Sequence, residues 1–202
     1  MLLKQHAETF ITHYKEEKAE ELAEAMPLKE NDVVLKILAT SPKLFSCLQK
    51  KVHGGIVIPF HHDEKKLEDI KTLEPAITTG TMDEKFIHPS WKKEKQESAV
   101  LFAFTLSLMD THTGLYTACR ILRESHVDTS HIICLQWKEE FMRKHEELQY
   151  IPFIGIEEYE TFSYELGLQN MEAAEHDDFF VARMEFPKIQ FQDDWSAFAG
   201  DA

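Results

Sequence analysis

The sequence predicts an α+β fold: one domain with a small, mostly antiparallel sheet packed by several amphipathic helices. Three observations predict it. Apolar residues at helical spacing mark six or seven helices, and β-branched or alternating runs mark four strands. The two kinds of element do not alternate as regular βαβ units, which argues against a parallel sheet.

The first 25 residues read as an amphipathic helix, with Leu3, Ala7, Phe10, Ile11, Tyr14, Leu22 and Ala25 on one stripe and Pro27 as its stop. Asn31 is placed to cap a short helix over 31–39 carrying Val34, Leu35 and Leu38. Ser41 and Pro42 read as an N-cap and first helical position, for a helix bearing Leu44, Phe45, Leu48 and Val52. Gly54 and Gly55 end it. Residues 56–60 form a short β-branched strand, and Pro59 places it at a strand end or sheet edge because proline cannot donate a ladder hydrogen bond. Residues 61–96 read as polar and irregular, with a turn or two of helix over 63–73.

The clearest strand covers 99–109, apolar on both faces as far as Ala103 and so central in its sheet. A turn, Asp110 to Gly114, leads to a helix over 115–123. A second core strand follows at 131–137, then helices over 138–149 and 157–166 with a short extended piece at 151–156 between them. Gly167 stops the last helix, and residues 180–186 alternate as a strand. Residues 1–187 are thus expected to form the domain, and 188–202 a C-terminal tail.

Charge is unevenly distributed. The chain has 36 acidic residues against 22 basic ones, a net charge of −14. Residues 157–202 carry 12 of the acids against only Arg183 and Lys188, a net of −10. Such a field repels phosphate backbones and anionic membranes and attracts basic partners. No apolar run approaches the roughly 20 residues that span a bilayer, and the opening residues lack a signal-peptide core, so a cytoplasmic protein without membrane insertion is expected. Three cysteines, an odd number with no C-x-x-C pair, suit a reducing compartment.

Candidate chemistry is sparse. Cys119 and Cys134 flank His126, Asp128 and His131, so a thiol nucleophile with a base can be composed. Both cysteines fall on apolar stripes, where a thiol is a small buried hydrophobe. His61, His62, Asp63 and Glu64 form the densest set of metal-ligand types, yet no zinc or calcium spacing is present and neighbouring strand residues point apart. No glycine-rich phosphate cradle occurs. No catalytic residue, metal or cofactor is therefore assigned. The tail differs: Phe191, Trp195 and Phe198 are interleaved with Asp193 and Asp194, a pattern of aromatic anchors with acids at the rim that suits protein binding.

In size, acidity and lack of catalytic signatures the whole chain resembles the acidic LvgA-type adaptor subunits of Legionella-type IVB (Dot/Icm) secretion coupling complexes. That resemblance implies a non-enzymatic, virulence-associated chaperone or adaptor in a hetero-complex, recognising effectors with basic or amphipathic surfaces. Two alternatives rest on the residues themselves: an inhibitor or immunity protein neutralising a basic toxin or enzyme, and a thiol-dependent hydrolase.

Overall fold

Seven strands form one mixed sheet in the computed structural model, which describes residues 2–38, 40–61, 64–73, 80–81, 97–125 and 129–187. They are β1 (Val33–Ile37), β2 (Ile56–His61), β3 (Gly80–Thr81), β4 (Glu97–Ala103), β5 (Thr129–Trp137), β6 (Gln169–Glu175) and β7 (Phe179–Phe186). Their spatial order is β3-β2-β1-β4-β5-β7-β6. The five strands from β3 to β5 pair in parallel, and only β7 runs against its neighbours. The fold is therefore doubly wound α/β. The expected small, mostly antiparallel α+β sheet is wrong.

The error begins at β1. All five of its residues are buried, and a parallel strand covered on both faces reads as a continuous apolar run without alternation. Over so few residues, Val34, Leu35 and Leu38 fit a helical period equally well. Without β1 the parallel centre of the sheet disappears from view. β6 escaped notice for the opposite reason: its residues are nearly all exposed, so it carries little apolar pattern. Pro59 is tolerated in β2, which is not an edge strand, because β3 reaches only Phe60 and His61 on that side.

Helices cover both faces. α1 (Leu2–Glu17), α2 (Ala19–Ala25), α3 (Pro42–Lys51) and α4 (Glu64–Leu73) lie on one, with α6 (Glu139–Lys144) beside α1. α5 (Thr111–Ser125) and α7 (Ile156–Glu165) cover the other. The strands feed both cores by alternation: Ala99, Leu101 and Ala103 of β4 face the first layer, Val100 and Phe102 the second. Ser41 caps α3 as expected, its Oγ accepting from the Leu44 amide at 3.1 Å. Gly55 is required by close approach, since a Cβ there would lie 2.0 Å from the Asp32 carbonyl oxygen. Gly167 ends α7 at φ +67°.

Two further contacts hold α1 and α2 in place. Lys51 reaches across from α3 and donates to the carbonyls of Ala23, Glu24 and Met26 at 2.8, 3.0 and 2.5 Å, closing the C-terminal end of α2. Phe10 and Tyr14 of α1 dock on an aromatic cluster centred on Trp137 of β5. Trp137 is fully buried and stacks on Phe104 at 4.3 Å.

Candidate functional site

In an open α/β sheet the crevice beyond the carboxyl ends of the strands opens where the winding reverses, and ligands bind there. Here the reversal falls between β1 and β4. A cavity of about 520 Å³ occupies that place, within the range of small-molecule sites. Leu38, Thr40, His61, Thr105 and Leu108, all following or ending β1, β2 and β4, form its floor. One face of α1, including Glu8, Thr9, Thr12, Lys15 and Glu16, forms its roof.

Backbone conformation marks the same spot. Leu38 and Phe104, the first residues after β1 and β4, have φ of +50° and +58°. Such left-handed values cost a non-glycine residue about 1–2 kcal/mol each. At Phe104 the left-handed turn ends the strand expected over 99–109 and leads into a 3₁₀ turn at Leu106–Leu108.

Two lysines are buried in this part of the fold, and one of them, Lys15, lines the crevice. Lys15 of α1 and Lys36 of β1 are both fully buried, and neither Nζ has a hydrogen-bond partner among the described residues. Burial drives the Lys15 amine well below the ordinary lysine range, and the nearby Lys36 charge adds to this. Burial lowers Lys36 to about 8, partly offset by the Glu16 carboxylate. Glu16 does not pair with either amine: its Oε1 accepts from Ser41 Oγ at 2.6 Å and from the Lys43 amide at 3.2 Å. Lysines with this much burial are ordinarily paired or extend their heads to water.

The residues singled out from sequence are scattered. His61 is buried at the crevice floor, while His62 and Asp63 lie outside the described residues. No cluster of metal-ligand side chains occurs among the described residues. Cys134 is buried in β5, and burial pushes its thiol far up, which removes the thiolate a hydrolase needs. Cys119 is buried in α5, and His126 and Asp128 fall outside the described residues. His131 instead meets Arg183 of β7, Nε2 to Nη2 at 2.9 Å. The tail residues Phe191, Asp193, Asp194, Trp195 and Phe198 also lie outside the described residues. Sequence reasoning missed Lys15 and Lys36 altogether. The only available signal was a lysine interrupting an apolar strand and another within the α1 stripe.

Neither a protein-family model nor a curated protein matches this chain. Solved structures do. An S-adenosylmethionine (SAM)-dependent methyltransferase from Aquifex aeolicus superposes with a TM-score of 0.65 at 16% identity, over 91% of this chain and 98% of that one. A chain from the complex of the Haloferax volcanii Trm112 methyltransferase activator with a candidate methyltransferase superposes at 0.66, with 13% identity, over 92% and 97%. The O-methyltransferase NcsB1 of neocarzinostatin biosynthesis, bound to S-adenosylhomocysteine (SAH) and 1,4-dihydroxy-2-naphthoic acid, gives 0.63 at 12% identity, over 87% of this chain and 56% of its own length. The chain thus has the fold of SAM-dependent methyltransferases. This overturns the likeness to LvgA-type secretion adaptors, and with it the expectation of a non-enzymatic chaperone. The inhibitor and thiol-hydrolase alternatives fall as well, since these neighbours are methyltransferases.

The crevice thus offers one buried amine without a hydrogen-bond partner among the described residues, Lys15, together with acceptors on Glu8, Glu16, Thr9 and Thr12. The left-handed residue directly after β1 is Leu38 rather than a glycine.

Proposed function

We propose that this chain is a SAM-dependent methyltransferase whose active site is the crevice beneath α1. The observation that carries the reading is the position of that crevice, at the β1–β4 switch point of a sheet shared with methyltransferases. Bound SAM supplies an electrophilic methyl group on a sulfonium. The protein's part is to hold and orient. Lys15, fully buried and lining the crevice, receives carboxylate charge in a site shielded from water, where such a contact is strong. α1, fixed by Phe10 and Tyr14 on the Trp137 cluster, roofs the crevice and keeps solvent from the transfer. Calorimetric titration of SAH into the full chain tests the reading. One-to-one binding on the order of 1–100 µM is expected, a common range for enzyme ligands. No binding at millimolar SAH would overturn it.

A protein partner is also part of this reading. The Haloferax volcanii neighbour occurs in a complex with an activator, and the net charge of −14 favours a basic or amphipathic surface on any partner here. We assign that contact to the tail over 188–202, through Phe191, Asp193, Asp194, Trp195 and Phe198, beyond a domain of residues 1–187. Among the described residues no helix is long and apolar enough to cross a membrane, and a cytoplasmic location agrees with the free cysteines. Pull-down from the native host with and without residues 188–202 checks the assignment. Partners are expected to be lost with the tail, and retention of the same set would refute it.

A further inference from the structure

We infer that a second cavity, on the opposite side of the sheet from α1, binds a compact apolar group of about one ring's size that carries an ammonium. The cavity has a volume of about 170 Å³. An apolar cavity of about 150 Å³ accommodates one benzene ring, and clefts for whole ligands start at about 300 Å³. This one therefore seats a part of a ligand. Ile37 of β1, Phe102 of β4 and Ala118 of α5 are buried and form its floor within the second core. Met109, half-buried, lines its side, and a methionine sulfur packs favourably against an aromatic ring. Gly114 gives Met109 its position: a Cβ there would lie 2.6 Å from Met109 Sδ and 2.8 Å from Leu106 Cδ2. Without such a close approach, glycine inside a helix is disfavoured against alanine.

The mouth supplies the charge. Asp110 is exposed there and is the only charged group among the described residues that line the cavity. Capping of α5 fixes it, with Oδ1 accepting from the Thr113 amide at 2.8 Å. A carboxylate accepts up to about four hydrogen bonds, so an ammonium can be taken as well. The N-terminus of α5 carries roughly half a positive charge, which a full carboxylate charge outweighs. His112, the nearest other titratable group on α5, is turned to Glu165 of α7 at 3.7 Å. The net charge of −14 draws cations toward such a mouth. Position relates the cavity to the crevice: Leu38 and Leu108 line the crevice, and their chain neighbours Ile37 and Met109 line this cavity. The two lie on either side of the ends of β1 and β4. The cavity then holds the apolar amine end of the methyl acceptor, a role that rests on the methyltransferase reading, whereas the site itself does not.

The test is magnetic-resonance titration of benzylamine into the full chain, carbon-13 labelled at its methionine methyls, both free and saturated with SAH. Wild type is expected to bind in both forms with a dissociation constant on the order of 1 mM, as suits so small a ligand. The ring current is expected to move the Met109 methyl signal, identified by its absence in Met109→Leu. Thr117 lines the cavity half-buried and bonds only to the Thr113 carbonyl of its own helix. Thr117→Leu is therefore expected to keep the thermal transition and to weaken binding by at least about tenfold, because the larger side chain occupies the space. Asp110→Asn retains an N-cap. It is expected to bind benzylamine about two- to fivefold more weakly, the range of an exposed ion pair, and benzyl alcohol equally well. An unmoved Met109 signal in wild type, or equal binding by wild type and Thr117→Leu, overturns the site. Equal benzylamine binding by wild type and Asp110→Asn overturns the ammonium assignment. Displacement of benzylamine by SAH overturns the acceptor role, because the cavity then serves the cofactor. Binding reported by Met109 without any SAH binding supports the site and removes the methyltransferase reading instead.

Discussion

Lys36→Met is expected to stabilise the ligand-free protein by roughly 2–3 kcal/mol at pH 7. For a chain of this length that raises the melting temperature by roughly 5–10 °C. The cause is the free energy of holding an ammonium inside β1 without a hydrogen-bond partner. Unfolding returns Lys36 to its ordinary value near 10.5 from about 8 in the fold. Between those values the unfolded chain binds more protons, so the Lys36 contribution makes stability rise as pH rises from 8 to 10.5. Below pH 8 the penalty is present in full. Above 10.5 both states are neutral and it vanishes. Urea unfolding of wild type and variant across pH 7–10.5 should therefore show the largest difference at pH 7 and convergence at the alkaline end. A variant less stable than wild type at pH 7 would mean that Lys36 is paired in solution. Lys15 responds too: relieved of the Lys36 charge it titrates higher, so the two substitutions are not additive.

Trp137→Ala is expected to destabilise the protein by about 3–5 kcal/mol, the cost of deleting a large buried aromatic and leaving a cavity. Trp137 is fully buried and stacks on Phe104 at 4.3 Å and on Phe141 at 6.1 Å. Its further role is to seat α1: Phe10 and Tyr14 meet it edge-on at 5.9 and 5.6 Å. The loss should therefore be local as well as global. Limited proteolysis is expected to cut within residues 2–25 first, and SAH affinity to fall more than at an equally destabilising site in the α5 layer. Leu115→Ala serves as that comparison, since Leu115 is fully buried in the opposite core. Equal SAH affinity in the two variants would detach α1 from the function of the crevice.

These predictions concern features of unequal visibility in the sequence. The helix after Ser41 and Pro42 was legible because capping and proline chemistry are local. So were the cores of β4, β5 and β7, whose apolar runs are long. β1 was misread because five buried residues carry no periodicity that separates strand from helix. One misread strand changed the fold class, since β1 joins β2 to β4 and makes the sheet parallel. The site was less legible still. Lys15 and Lys36 lie 21 positions apart and look like ordinary charged residues until α1 is laid across the end of β1.

By itself the sequence determined what depends on neighbours along the chain: the caps and stops of helices, the apolar strands of the core, the acidic C-terminal quarter, and the absence of a glycine-rich phosphate loop. Tertiary structure alone decided the order and direction of the strands, because pairing joins segments far apart by hydrogen bonds that any backbone can make. It alone placed two lysines out of water. Whether an amine is solvated or stranded depends on what packs over it, and here that is a helix whose partners lie more than 100 residues away, on β5.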